Sequence, residues 1–292
     1  MNHKIKYNIN TLILLMPWLI TFVMFWLYPL GYAAYLSMTE YSTLTDTARF
    51  IGFGNYSAIL SDSIFWKALS NTAIFTFGTV PVTTAFALLL ASIINSKFIR
   101  FKEFFRTSYF MPSVTSLVVI ALIFTNLYSK DGYINYILNL LNLPTSERGF
   151  LLEPSTALLS IMAMDVWIST GYYMVLFLAG MQTIPLDLYD MAKLAGATAW
   201  QQFWRITFPL LRSTLLFVIV INTIKSFQIF IEIFIMTKGG PLNRTTTLVY
   251  LVFVNAFEKL DSMGYASALA YIVFILLLIF SFLQIKLLRL KE

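Results

Sequence analysis

Three charged side chains stand inside stretches of sequence that are otherwise apolar: Asp165, Lys225 and Glu232. A charge placed in hydrocarbon costs about 2.5–3.5 kcal/mol by insertion scales, so such groups face protein or water and mark pairs or solute paths. Asn222, Lys225, Gln228, Ile229 and Glu232 recur at three- and four-residue steps, which on one helix would set them along one side. Two chemistries fit that stripe. Asp165, Asn222, Lys225, Gln228 and Glu232 could line a polar substrate pathway, or they could make interhelical bonds, Asp165 to Lys225 among them, that only join two helices. Glu232 stands near the outer end of its stretch, within reach of water. Enzyme chemistry has little material. The one histidine is His3, cysteine is absent, the remaining acids show no paired spacing, and no cluster suits a metal. No G-x-x-x-x-G-K-[ST] segment exists to cradle ATP phosphates, so energy must come from another subunit or from an ion gradient.

The elements that must position these residues are membrane helices. Charged residues make up only 12% of the chain, against about 25% in a soluble domain, and mean hydropathy is +0.76. Six apolar stretches reach the roughly 20 residues a helix needs to cross a bilayer. They run approximately over 11–36, 69–94, 107–128, 155–180, 209–236 and 264–288, and 1–292 reads as a single transmembrane domain. The expected fold class is an all-α integral membrane protein. Pro17, Pro29, Gly78, Pro81 and Pro112 fall inside these spans, where neighbours can re-satisfy the backbone and kinks can shape a pathway. Lys4 and Lys6 precede an apolar run too long, and too rich in proline, for a signal peptide, so it reads as an uncleaved first span.

Basic flanks set the orientation. Lys4, Lys6, Lys97, Arg100, Lys102, Arg106, Lys193, Arg205, Arg212, Lys286, Arg289 and Lys291 fall on one side; Arg49, Lys67, Lys130, Arg148, Lys238, Arg244 and Lys259 fall on the other. The bias of 12 to 7 predicts that both termini and the 184–209 segment are cytoplasmic. The net charge of +6 is then a topological signal facing anionic lipid and calls for no nucleic acid. The basic, phenylalanine-rich link 95–106 reads as a membrane-surface helix for the same reason.

Segment 184–209 is polar enough to leave the bilayer. Pro185 and Asp187 suit a helix start, Gly196 suits a left-handed C-terminal residue, and Thr198 with Gln201 fits a capping box that opens a second helix ending near Pro209. On physical grounds this is an amphipathic helical hairpin at a membrane surface. Its spelling, Tyr189-Asp-Met-Ala-Lys-Leu-Ala-Gly196-Ala followed by Ile206-x-x-Pro209, resembles the EAA loop of binding-protein-dependent ABC importer permeases. Asp190 stands for the family's Glu, Met191 for its next Ala, and Ala195 for the Asp before the Gly.

Further segments resemble the sugar-importing branch: Phe50-Ile-Gly-Phe-Gly-Asn-Tyr56 after the first span, Gly239-Gly-Pro241 after the fifth, and Gly264-Tyr-Ala-Ser-Ala268. The resemblance implies a type I importer-like fold of six transmembrane helices in the cell (inner) membrane. It also implies a coupling hairpin in which Tyr189, Asp190, Ala192, Gly196, Ala197, Ile206 and Pro209 engage an ATPase. The implied partners are a second related permease forming a heterodimer, an ATPase dimer that holds the ATP and Mg, an extracytoplasmic solute-binding protein, and membrane lipid. The chain itself would hold no cofactor. The implied cargo is a carbohydrate or related polar solute, against whose faces Trp167, Tyr172 and Tyr173 could stack if they do not pack against neighbouring helices. Two rivals stand beside this reading. A secondary transporter would show inverted repeats, which the two halves lack, and a non-transporting membrane scaffold would bind no ATPase. The outer segment Tyr133–Leu143 is amphipathic and reads as an interfacial helix.

Overall fold

The computed structural model describes residues 9–42, 47–96 and 99–288. His3, Lys4, Lys6, Lys97, Phe98, Arg289 and Lys291 lie outside the described residues. All six apolar stretches are helical. Five meet the length and hydropathy of a membrane crossing: Leu14–Ser37, Ser63–Asn95, Ala157–Gln182, Arg212–Met236 and Met263–Lys286. The sixth is a bent pair, Lys102–Val114 and Leu117–Leu127, whose axes meet at 93°.

Two spans differ from the continuous helices expected. The third, expected unbroken over 107–128, stops where Thr115 and Ser116 are extended. Pro112, which has no N–H, denies the Ser108 carbonyl its helical donor and weakens the turn before the break. The fifth, expected unbroken over 209–236, splits into Arg212–Phe227 and Ile231–Met236. The Ile229 carbonyl takes its hydrogen bond from the Thr247 hydroxyl at 3.1 Å instead of from the next helical turn. Ile229, Ile231 and Ile233 crowd β-branched side chains at this point, which lowers the local cost of leaving the helix. The second-span helix begins at Ser63, earlier than the expected residue 69.

The chain divides into two compact units. Unit 1 comprises Met1–Asp62 and Val252–Val273. In it the first span leads into a two-stranded antiparallel hairpin, Thr39–Ser42 with Thr47–Phe50, and then a short helix, Gly54–Ser61. The Asn55 amide donates to the carbonyls of Ser37 and Thr39, each at 2.9 Å, fixing that helix to the end of the span. Gly264 sits with its Cα against the Thr39 carbonyl; a Cβ would lie 2.0 Å from that oxygen, so only glycine fits.

Unit 2 comprises Ser63–Leu251 and Phe274–Glu292. Its centre is the packing of the second-span helix on the fourth. Ala87, Ala91, Tyr173, Met174, Phe177, Leu211 and Val218 form one buried cluster. Small residues let the backbones close up, as membrane helices require where apolar packing alone gives little drive. At Gly171 the approach is closest, for a Cβ would stand 1.8 Å from the Tyr109 carbonyl oxygen. Thr72, Thr76, Thr79 and Thr83 make a buried polar seam down the second span, and the Thr79 and Ser226 hydroxyls meet at 3.4 Å across to the fifth. The loop after the fifth span, with a cis Gly240–Pro241 bond, is tied down by the same helix. The Asn71 amide donates to the carbonyls of Asn243 and Thr246, and the Thr72 hydroxyl accepts from the Leu248 amide.

Candidate functional site

The hairpin is built from local rules. Pro185 caps the helix Leu186–Leu194, with Asp187 in its first turn and Lys193 in its last, both matched to the helix dipole. The chain leaves that helix through a Schellman turn: the Gly196 amide donates to Lys193 O and the Ala197 amide to Ala192 O, both at 2.9 Å. Gly196 takes φ +80°, and a Cβ there would meet nothing within 4 Å. Its requirement is therefore conformational and does not come from close packing in this chain. The capping box forms, with Gln201 N donating to Thr198 Oγ1 and Thr198 N donating to Gln201 Oε1. The second helix ends at Leu210, next to the expected Pro209. It runs through Ala199–Gln202, a π-turn Phe203–Thr207 and Phe208–Leu210 before the fifth span begins at Arg212.

The seven residues expected to couple do not share one environment. Tyr189 and Ile206 pack inward against the buried cluster, and the Tyr189 and Thr207 hydroxyls meet at 2.9 Å, locking the two hairpin helices together. Ala192, Ala197 and Pro209 are half-buried. Asp190 and Gly196 are exposed, and Asp190 accepts from Lys193 Nζ at 2.8 Å. Between them stand apolar residues that the motif did not single out. Leu194 is 90% exposed, Trp200 70%, Leu186 68% and Met191 68%. Met191 thus points away from the core, and its bulk meets no residue that a small side chain would have spared. Covering side chains of this size contributes roughly 1.5–3 kcal/mol each, so the hairpin leaves substantial apolar area uncovered within this chain.

The charged cluster is assembled over distance. Lys225 Nζ donates to Asp165 Oδ1 at 2.8 Å and to the Ser169 hydroxyl, and Ser169 also donates to Asp165 Oδ1. Asp165 is 2% exposed and its Oδ2 has no hydrogen-bond partner, whereas the Lys225 side chain is 41% exposed. The pair therefore bonds two helices and also presents a cation to open space. That space is a cavity of about 270 Å³ lined by Lys225, Ser169, Tyr172, Tyr173, Ser113 and Thr115 among others. The break in the third span delivers Ser113 and Thr115 to its wall.

The expected single stripe on the fifth span is not one face. Asn222 is fully buried and accepts from the Ser226 hydroxyl, while Gln228, at the break, is exposed and closes the helix by donating its amide to Ile224 O and Lys225 O. Glu232 is not the solvated outer residue expected. It is 3% exposed and stands in the first turn of the short helix after the break, where an acid complements the helix dipole. Trp167 is half exposed, Tyr172 borders the cavity and Tyr173 is buried in the core. Among the described residues no group of three or more His, Cys, Asp or Glu is placed to hold a metal.

Comparison with known proteins agrees with this architecture. The profile of the family described as "Binding-protein-dependent transport system inner membrane component" matches residues 83–288. A lactose transport system permease protein of Rhizobium radiobacter is 33% identical over 283 residues, covering 96% of this chain and 94% of the relative. An sn-glycerol-3-phosphate transport system permease protein of Agrobacterium fabrum is 32% identical over 280 residues, covering 94% and 92%. The fold matches that of a bacterial ABC transporter involved in the import of the acidic polysaccharide alginate, with TM-score 0.84 at 22% identity over 98% of this chain and 96% of that one. A second structure of a bacterial alginate transporter, in complex with an alginate pentasaccharide-bound periplasmic protein, matches equally well. The chain therefore belongs to the binding-protein-dependent transport system inner membrane components and is a permease subunit of an ABC importer.

Proposed function

We propose that this permease moves a carbohydrate or related polar solute, handed over by an extracytoplasmic binding protein, and that its hairpin couples the movement to an ATPase dimer. The observation that supports the coupling is the set of exposed apolar side chains Leu186, Met191, Leu194 and Trp200, presented on a hairpin whose turn and cap are closed by its own hydrogen bonds. The hairpin is cytoplasmic in this reading, with both termini, as the basic bias of the flanks requires. Asp190 and Gly196 face the ATPase, Tyr189 and Ile206 hold the hairpin to the spans, and Ala192, Ala197 and Pro209 keep its two helices close. The chain holds no cofactor; ATP and Mg sit on the ATPase. A second, related permease completes the pathway as a heterodimer. Lys225, with Asp165 behind it, offers a fixed cation and Tyr172 an aromatic wall to a hydroxyl-rich solute; Asn222, Gln228 and Glu232 hold the fifth span in its broken form beside them. Alternating access follows when ATP binding favours one of two arrangements of the spans and the hairpin transmits that preference.

The test is substrate-stimulated ATP hydrolysis by the reconstituted complex. Gly196→Asp, and less severely Asp190→Lys, should abolish uptake and the response to loaded binding protein while the chain stays in the membrane. Unchanged stimulation in both variants would remove the coupling role. A topology reporter fused after Glu292 and another inserted near Gly196 should both be cytoplasmic, and either one appearing outside would overturn the orientation.

A further inference from the structure

Between the second, third and fourth spans lies a groove of about 430 Å³, separate from the cavity at Lys225 and walled mainly by apolar groups, among them Phe86, Leu90, Tyr109, Pro112, Val166 and Trp167. Its walls belong to helices that cross the bilayer, so its surroundings are acyl chains or protein. At 1.5 Å per residue, Leu90 and Phe86 stand about 8 and 14 Å from the helix end at Asn95, the depth of one leaflet's acyl chains.

The end of the groove nearest that boundary is basic. Arg100 precedes the third-span helix, Lys102 opens it, and Arg106 lies one turn before Tyr109 on the same helical face. Arg106 Nη1 donates to Glu103 at 2.8 Å, but its Nε–H is buried and has no hydrogen-bond partner. A buried guanidinium donor left unpaired is costly, and a phosphate oxygen is the acceptor that guanidinium geometry suits best.

We propose that this groove binds an anionic phospholipid of the leaflet at the Arg106 end, its phosphate on Arg106 and one acyl chain between Phe86, Leu90 and Trp167. With the orientation proposed above, that leaflet is the cytoplasmic one. The lipid wedges the second, third and fourth spans at the point where Gly171 meets the Tyr109 carbonyl, and so supports the packing next to the broken third span.

Trp167 reports on the groove. The full chain is reconstituted, alone and with its partner subunits, in phosphatidylcholine vesicles containing brominated phosphatidylglycerol or brominated phosphatidylcholine. The Trp167 signal is read as the difference between wild type and Trp167→Phe. Quenching should favour the phosphatidylglycerol by about fivefold in apparent affinity, the effect of one basic group at a membrane surface. Arg106→Gln should remove the preference and Arg106→Lys should keep most of it. Ala163→Phe, which fills the groove, should weaken quenching by both lipids. Equal quenching by the two lipids in wild type, or an Arg106→Gln preference unchanged from wild type, would overturn the proposal. No quenching in the assembled complex would overturn it too, by showing that a protein partner covers the groove. Vesicles symmetric in lipid make the result independent of orientation, so failure here and failure of the topology reporters are distinguishable.

Discussion

The hairpin and the Asp165–Lys225 cluster satisfy their polar groups in opposite ways. In the hairpin the bonds that make the turn and cap span a few residues: Asp190 with Lys193, Thr198 with Gln201, Gly196 with Lys193; the Tyr189–Thr207 contact reaches 18 residues but stays within the hairpin. Its turn and cap are closed by its own hydrogen bonds, while Leu186, Met191, Leu194 and Trp200 are bare. In the cluster, Lys225 reaches partners 60 and 56 residues away, its polar atoms are brought into the interior, and one carboxylate oxygen is left without a donor. The first is a preformed part that lacks a partner surface. The second is an arrangement that exists only when the spans have packed, and it stores the cost of a buried charge at the place where the helices would have to move.

That contrast predicts where substitutions hurt. Lys225→Met leaves the buried Asp165 carboxylate without its partner and should destabilise the packed spans by roughly 3–5 kcal/mol, measured by thermal unfolding in detergent, whereas Asp165→Asn leaves a lysine that reaches the cavity and should cost less. Exchanging both should be milder than the worse single change; purely additive losses would mean the two act separately and would weaken the contrast. Gly171→Ala comes next, because the new Cβ would strike the Tyr109 carbonyl, and overpacking of that kind costs about 1–3 kcal/mol. Thr198→Ala removes the cap of the second hairpin helix and should cost about 1 kcal/mol, read as loss of local protection from hydrogen exchange with the spans unaffected. Smallest is Lys193→Ala. The Asp190–Lys193 pair is exposed on both sides, so its loss should change stability by no more than about 0.5 kcal/mol.

The same contrast explains what the sequence disclosed. The hairpin was legible because proline, glycine and the Thr198–Gln201 spacing act within one or two turns, and the elements appear where those residues place them. The Asp165–Lys225 contact could be named from chemistry, since two opposite charges in apolar spans need each other. The breaks at Thr115 and at Gln228–Phe230 were not foreseen. The second carries no proline or glycine and depends on Thr247, from a distant loop, taking the Ile229 carbonyl. Glu232 was misplaced for the same reason, because the break puts it in the first turn of a new short helix, where it is buried. The exposed Leu194 and Trp200 were missed because periodicity alone does not tell which apolar face remains uncovered.

The most direct test of the central contrast uses the absence of cysteine from the chain. Leu194→Cys and Trp200→Cys place single thiols on the bare hairpin face, and Tyr172→Cys places one at the inner cavity. Labelling by a membrane-impermeant maleimide is followed in opened vesicles, with and without the ATPase subunits. Binding of the ATPase should protect positions 194 and 200 by at least about tenfold, the equivalent of 1.4 kcal/mol of occlusion, while position 172 should respond only to solute and nucleotide. Equal labelling of positions 194 and 200 in the presence and absence of the ATPase would contradict the assignment of the hairpin as the coupling surface.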